Sequence, residues 1–151
     1  MRPFSQQQLT VIRGGDISTD TTYEPPLRIG FGINDQTVES PLATMGRTNL
    51  VPGAKPNATH YHSVNDVVWY ILYGSIQCWY ARSDGSDRTE VILKGGDFVY
   101  VPAGAIHVIS NASAIDEASL IFCYVGVPNT DAAKTVWLSE DGKQVLEKQT
   151  H

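Results

Sequence analysis

The feature of this sequence that most constrains its fold is the spacing of its apolar residues. They fall in short β-branched and aromatic runs separated by Gly, Pro, Asn and Asp, and almost no stretch has helical spacing over three turns. The runs predict a strand around His60 and others at residues 42–51, 67–73, 76–81, 90–93, 98–101, 107–110 and 119–125. Many short strands favour an all-β sandwich or barrel, because an open sheet would leave unpaired edges.

Both ends of the chain are predicted to extend this core. Residues 21–30, TTYEPPLRIG, read as an extended arm that lies on the barrel or on a second subunit. Near the other end, TVWLSEDGKQVL contains the pair Asp141-Gly142, which is typical of a hairpin turn. No linker or charge block divides the chain, so we predict a single domain over residues 1–151.

Composition argues against several classes of partner. The chain carries 11 Lys+Arg and 16 Asp+Glu, a net charge of -5, and its basic residues are scattered rather than arranged along a stripe that could follow nucleic acid. No segment has the apolar core of a signal peptide or the ~20 apolar residues of a membrane span. We therefore predict a cytoplasmic protein without a nucleic-acid or membrane partner. Cys78 and Cys123, which lack Cys-x-x-Cys spacing, are interpreted as free buried thiols.

His60 and His62 stand one residue apart in a predicted strand. Because strand side chains alternate between faces, both imidazoles should point one way and Tyr61 the other. Such a pair can bind one metal ion, but a surface pair or two hydrogen-bonded core histidines would produce the same pattern. A third histidine, His107, begins the strand that follows the turn Pro102-Ala103-Gly104.

Two glycine-bounded motifs surround these histidines and resemble those of the cupin superfamily. The first motif is similar at Gly53, His60, His62 and Gly74, and the second matches at Gly96, Pro102, Gly104, His107 and Asn111. The resemblance implies a double-stranded β-helix, or jelly-roll, barrel with core motifs at 53–74 and 96–111 and arms at both ends. It also implies that His60, His62 and His107 bind one divalent metal ion. Imidazole ligands suit Fe(II), which we favour, as well as Zn, Mn, Ni or Cu.

The sequence departs from the family at the position of a fourth ligand. Cupins with four protein ligands have a glutamate seven positions before the last glycine of the first motif, and Val67 stands there. Asp66 is one residue early, so strand alternation should turn it to the opposite face unless a loop or bulge at 63–66 brings it round. We therefore expect a site of three histidines and no protein anion.

A site without a carboxylate would be a stronger Lewis acid and would favour an anionic ligand. Three protein ligands leave up to three octahedral positions for a chelating substrate and dioxygen. Val67 and Trp69 share a strand face and are predicted to line the cavity, although Trp69 could equally be ordinary barrel core. Arg47 could clamp an acidic substrate group, or could be solvated or ion-paired. We assign no catalytic residue beyond these.

Three classes of function are consistent with the motifs. The first is a non-haem Fe(II) dioxygenase acting on an enolisable or phenolic small molecule, by similarity to three-histidine cupins that cleave β-diketones and oxidise thiols. The second is an oxygen-independent Lewis-acid enzyme, such as an isomerase, a lyase or a cyclase, because GGDI ahead of HYH resembles small cupins of aromatic polyketide cyclisation. The third is a non-catalytic cupin that binds a small molecule. Cupins commonly pair through their sheet faces, so a homodimer is predicted.

Overall fold

The computed structural model describes residues 1–20 and 22–149. Within this part of the chain, strands predominate and helix is confined to three short 3₁₀ turns, Phe4–Gln6, Gly14–Asp16 and Asp131–Ala133. The strands are β1 (Thr19–Asp20), β2 (Arg28–Ile33), β3 (Ala43–Leu50), β4 (His60–His62), β5 (Val67–Tyr73), β6 (Ser75–Ala81), β7 (Thr89–Lys94), β8 (Phe98–Val101), β9 (Ile106–Asn111), β10 (Ala118–Val125), β11 (Thr135–Leu138) and β12 (Val145–Lys148).

The strands form two antiparallel sheets that enclose one interior. One sheet has the order β1-β2-β3-β10-β5-β8, and the other has the order β12-β11-β4-β9-β6-β7. The main core contains residues of both sheets, such as Ile71 of β5 and Ile76 of β6, together with Leu27 from the N-terminal arm. This is the jelly-roll arrangement, and the all-β prediction is confirmed.

Strand positions agree closely with those expected from the apolar runs. The turn Pro102-Ala103-Gly104 lies between β8 and β9, and the predicted C-terminal hairpin is formed by β11 and β12. The arm is only partly as predicted: its residues 28–30 begin strand β2, which pairs with β3. Thr21, at the start of the arm, lies outside the described residues. The single-domain assignment and the homodimer stay predictions.

Alternation along β3 and β5 determines which side chains reach the interior. On β5, Val67, Trp69 and Ile71 are buried, whereas Tyr70 is exposed. Asn111, at the end of β9, has a structural role because its side-chain amide donates to the carbonyls of Leu50 and Asp116 and so ties the end of β3 to the loop before β10. No helix among residues 1–20 and 22–149 is long and apolar enough to cross a membrane.

We expect Gly74→Ala to destabilise the fold more than Gly96→Ala. Both glycines have positive φ, +83° and +97°, so each alanine incurs a left-handed backbone cost of roughly 1–2 kcal/mol. At Gly74 a Cβ would also lie 2.6 Å from the backbone oxygen of Glu117, whereas nothing lies within 4 Å of a Cβ at Gly96. Urea unfolding of both variants measures the difference. Equal losses would contradict the role given to the close contact at Gly74.

Candidate metal centre

Three buried histidines meet inside the barrel because β4 and β9 are paired. His60 lies opposite His107 in the antiparallel register, and His62 is on the same face of β4 as His60. His60 is 0% exposed, His62 is 3% exposed and His107 is 6% exposed. One ligand nitrogen from each ring lies within 4.8 Å of the others, so the three can hold a single metal ion.

The Nδ1 atom of each ring has a hydrogen-bond partner. His60 Nδ1 lies 2.8 Å from the carbonyl oxygen of Ala58, and His107 Nδ1 lies 3.0 Å from that of Ala105. A carbonyl oxygen can only accept a hydrogen bond, so both rings donate from Nδ1. His62 Nδ1 lies 3.1 Å from the hydroxyl of Thr135. A ring that donates from Nδ1 keeps a lone pair on Nε2 when neutral, which is the arrangement found in most histidines that bind metals.

One of these Nε2 atoms is buried without a hydrogen bond. Within the described residues, Nε2 of His60 has no partner of acceptable hydrogen-bond geometry, although its ring is fully buried. A buried polar atom normally has a partner, and an Nε2 that faces two other imidazoles is a suitable ligand for a divalent cation. The residues present therefore fit a divalent metal ion, and their donor set does not distinguish Fe from Mn or Zn.

We expected no carboxylate at the site, but one lies beside the three histidines. The carboxylate of Glu24 is buried, and its Oε1 lies 3.0 Å from Nε2 of His60. Strand alternation could not reveal Glu24, because it lies in the arm between β1 and β2 and reaches the site only through the tertiary fold. The available signal was weak: a single acidic residue in the segment YEPPL, close to Leu27 and Ile29, which are both buried.

Glu24 and His60 shift each other's pKa values in opposite directions when no metal is bound. Burial is the largest single effect on the pKa of His60 and lowers it, but the effects of Glu24 and of the Ala58 carbonyl together outweigh burial, so the net shift is upward. Burial is also the largest single effect on the pKa of Glu24 and raises it, but the combined effects of His60, His107 and Asn57 outweigh burial, so the net shift is downward. A divalent cation that binds His60 Nε2 therefore competes with a proton for this atom.

The other two histidines stay neutral. Burial is the largest cause that lowers the pKa of His62 well below its ordinary value, and electrostatic repulsion from the neighbouring imidazoles of His60 and His107 adds to it. Burial, followed by the charge of His60, lowers the pKa of His107 to about 3. Neutral imidazoles are the form that binds metals, so these two rings are ready to do so at neutral pH.

Asp66 does not take part in the site. Its carboxylate accepts hydrogen bonds from the Tyr100 hydroxyl and, at 2.8 Å, from the backbone N–H of Ala103. These two donors, with Tyr100 first, lower the pKa of Asp66 at the surface. Its neighbour Val67 is the first residue of β5 and faces inward, as strand alternation predicted.

Val67 and Trp69 line a small cavity beside the histidines. This cavity, of about 30 Å³, is also bordered by Glu24, His62 and His107. A groove of about 850 Å³ lies next to it, between the free edges of the two sheets, and is lined by residues of β6, β7, β8 and β9. Trp69 and His107 border both spaces, and their rings meet edge to face at a centroid distance of 5.6 Å.

The structure does not bring Arg47 to the site. Thr44, Gly46 and Thr48 of β3 are buried, so the alternate residue Arg47 is on the outer face of the sheet. There its guanidinium donates to the Ser119 hydroxyl at 2.8 Å and the Tyr73 hydroxyl at 2.9 Å.

Comparisons with known proteins agree with this architecture. The family model described as "Cupin domain" matches residues 46–124, which contain all three histidines. The chain belongs to the cupin family. No curated protein sequence is significantly similar to this cupin.

Solved structures show how widely the fold is shared. An RmlC-like cupin from Ralstonia eutropha JMP134 is 15% identical, with a TM-score of 0.67 over 96% of this chain and 81% of that one. Oxalate decarboxylase from Bacillus subtilis is 17% identical, with a TM-score of 0.69 over 87% of this chain but only 33% of that enzyme. The CENP-C cupin domain of Drosophila melanogaster is 12% identical, with a TM-score of 0.63 over 78% and 82%. At these identities the similarity establishes the fold alone.

Replacing any of His60, His62 or His107 by alanine is expected to lower bound metal severely while the domain stays folded. The core of the barrel is formed by other residues, so folding does not require the ion. Asp66→Ala, which removes a carboxylate from the surface, serves as the control and should keep its metal. Elemental analysis after dialysis measures the content. Full occupancy in His107→Ala would refute the assignment.

The metal-free cupin should lose stability as the pH falls from 7 to 5. A histidine whose pKa is lowered by folding stabilises the protein fully above its unfolded pKa of about 6.5, and this contribution is lost as the pH falls toward the folded pKa. For His107, with a folded pKa of about 3, the loss is about 2 kcal/mol over this range. His62 acts in the same direction.

The pair of Glu24 and His60 does not produce this loss. Because folding raises the pKa of His60, its contribution to stability is fully present below the unfolded-state pKa, at pH values under about 6.5. Because folding lowers the pKa of Glu24, its contribution is fully present above the unfolded-state pKa, at pH values over about 4.5. Urea unfolding with chelator at both pH values, on wild type and His107→Asn, isolates the His107 contribution. The variant should lose about 2 kcal/mol less than wild type, and equal losses would contradict the neutral, buried state of His107.

Proposed function

We propose that this cupin is a metal-dependent dioxygenase that oxidises a small enolisable or phenolic molecule. The observation that carries the proposal is the convergence of three buried imidazoles beside a small cavity that borders a larger groove. The Nδ1 atoms of these rings have hydrogen-bond partners, whereas His60 Nε2 has none within the described residues. A ferrous ion bound there would supply the activation of dioxygen and a positive centre for an anionic substrate oxygen.

The groove supports an aromatic or enolic substrate class. Its volume of about 850 Å³ falls within the range of small-molecule sites, which is roughly 300–1,000 Å³. Aromatic side chains of Trp69, Tyr80, Phe98 and Tyr100 line it. Flat rings stack favourably on such surfaces, so a phenol or a conjugated enol would bind with its plane against these side chains.

Protein residues at the inner end of the groove would orient the reaction. Trp69 and Val67 form an apolar wall that limits the entry of bulk water to the histidines. The carbonyls of Ala58 and Ala105 keep the rings of His60 and His107 in one tautomer and one orientation. The acidic enol or phenol proton of the substrate would leave through the groove, which is open to solvent.

A second candidate is oxygen-independent Lewis-acid chemistry, such as isomerisation, lyase action or cyclisation. Tyr23 and Tyr124 favour it: their hydroxyls lie 3.2 Å apart and both residues line the small cavity. Burial is the largest cause that raises the pKa of each phenol, so both stay protonated at neutral pH. Protonated phenols can donate hydrogen bonds to a developing enolate without any redox step.

The structural neighbours support metal dependence but do not choose between these candidates. Bacillus subtilis oxalate decarboxylase has Mn(II) centres, whereas the Drosophila CENP-C structure is a complex with CAL1. One fold thus serves metal sites and protein binding, and function must be inferred from the residues of each site. The three clustered histidines here favour a metal enzyme over a binding module.

Oxygen uptake decides between the two enzymatic candidates. The cupin, reconstituted separately with Fe(II) and Zn(II), is incubated with a panel of β-diketones, phenols and polyketide-like enols in an oxygen-electrode cell and in an anaerobic chamber. We expect turnover with Fe(II) only and one O₂ consumed per substrate. Equal turnover with zinc and without oxygen would reject the dioxygenase in favour of the Lewis-acid enzyme. Stoichiometric binding of a panel compound without turnover would favour a binding cupin.

A further inference from the structure

We propose that Glu24 is a fourth protein ligand of the metal centre, supplied by the N-terminal arm rather than by β4, β5 or β9. The proposal rests on metal binding by the three histidines, as proposed above. It assigns the arm a function in the site and replaces a three-histidine ligand set by three histidines and one carboxylate.

Glu24 is an exceptional residue in the barrel. Among residues 1–20 and 22–149 it is the one buried carboxylate, with 8% of its surface exposed. Burial of a negative charge is strongly unfavourable unless positive charge and hydrogen bonds compensate for it. No lysine or arginine of the described residues forms an ion pair with it; its one charged neighbour there is His60. A divalent cation would compensate for the charge of Glu24 more fully than His60 alone.

The two carboxylate oxygens have different surroundings. Oε2 accepts a hydrogen bond of 3.3 Å from the side-chain amide of Asn57. The side-chain carbonyl oxygen of Asn57 in turn accepts a hydrogen bond of 2.9 Å from the backbone N–H of Ile109 on β9. Asn57 thus anchors Glu24 to the strand that carries His107. The other oxygen, Oε1, is left to face His60 Nε2. A carboxylate with one oxygen held by an amide and the other directed at the ion is a common arrangement of metal ligands.

The distance between Oε1 and Nε2 is that of two neighbouring ligands on one metal. Two ligand atoms about 2.1 Å from an ion and at right angles to each other are about 3.0 Å apart. Oε1 lies 3.0 Å from Nε2, yet Nε2 has no hydrogen bond of acceptable geometry within the described residues. The carboxylate therefore lies beside the direction of the Nε2 lone pair rather than along it, as a second ligand would.

Glu24 also borders the interior space shared by the other ligands. With His62 and His107 it lines the cavity of about 30 Å³, to which Val67 contributes only an apolar surface. The cluster whose ligand atoms all lie within 4.8 Å comprises the three histidines and does not extend to Glu24. Binding of the ion thus requires Oε1 to move closer to the rings of His62 and His107.

The test is the affinity of the full-length protein for Mn²⁺ and Co²⁺, measured by isothermal titration. We expect Glu24→Gln, which has nearly the same shape, to bind at least ~100-fold more weakly, because loss of a partner that merely orients a ligand already weakens binding 10–100-fold. Asp20→Asn is the matched control: it removes the same charge from an exposed carboxylate in β1, just before the arm, and should bind as wild type does. If Glu24 only forms an ion pair with His60, Glu24→Gln will bind equally well or more tightly, and the proposal fails.

The visible spectrum of bound Co²⁺ gives a second measurement, which does not depend on stability. Its d–d bands report the number and type of ligands, so they should differ between wild type and Glu24→Gln but not between wild type and Asp20→Asn. Glu24→Asp keeps the charge and shortens the side chain, and it serves as the test if Glu24→Gln fails to fold. Glu24→Asp should then show weaker binding and altered d–d bands. Wild-type affinity and bands in Glu24→Asp would overturn the proposal. If the wild type itself binds neither ion, the metal-dependent function fails. If the wild type binds and neither Glu24 variant differs from it, only the assignment of the fourth ligand is rejected.

Discussion

The antiparallel pairing of β4 with strands on both sides determines the geometry of the site. β4 is only three residues long, yet it is held by β9 through the pair His60 and His107 and by β11 through the pairs of His62 with Thr135 and His60 with Trp137. A shift of the register by one residue would turn both β4 histidines away from the barrel interior. The short strand is therefore fixed by its neighbours, and the site depends on the C-terminal hairpin as much as on the motif strands.

Burial then determines the chemistry of the three rings. Burial lowers the pKa of His62 and of His107 and keeps both rings neutral, whereas Glu24 beside His60 makes the net pKa shift of that ring upward. Such a polar cluster inside an apolar barrel is retained at a cost in stability. Its presence is explained more readily by function than by folding, since the surrounding core of aliphatic and aromatic residues is already continuous.

The sequence was sufficient to predict the barrel and the grouping of the histidines. Alternation placed His60 and His62 together, the cupin motif added His107, and the one-residue displacement of Asp66 correctly predicted that its carboxylate points away. Glu24 and β2 were beyond this reasoning for a common reason. Both belong to the N-terminal segment, where Gly30 and Gly32 obscure the strand pattern and no local signal specifies that the chain folds back across the barrel. Arg47 could have been placed by applying alternation to β3.

The small size of the inner cavity restricts what part of a molecule can reach the histidines. A space of about 30 Å³ has the size that one water molecule occupies in the liquid. A ring system is too large for it, so the bulk of the proposed substrate would stay in the groove on the outer side of Trp69 and present a single oxygen-bearing edge to the site. Selection of such a substrate would then depend on position: among isomers of equal size and polarity, the barrel would favour those whose polar group lies at the tip of the molecule over those whose polar group lies along its flank.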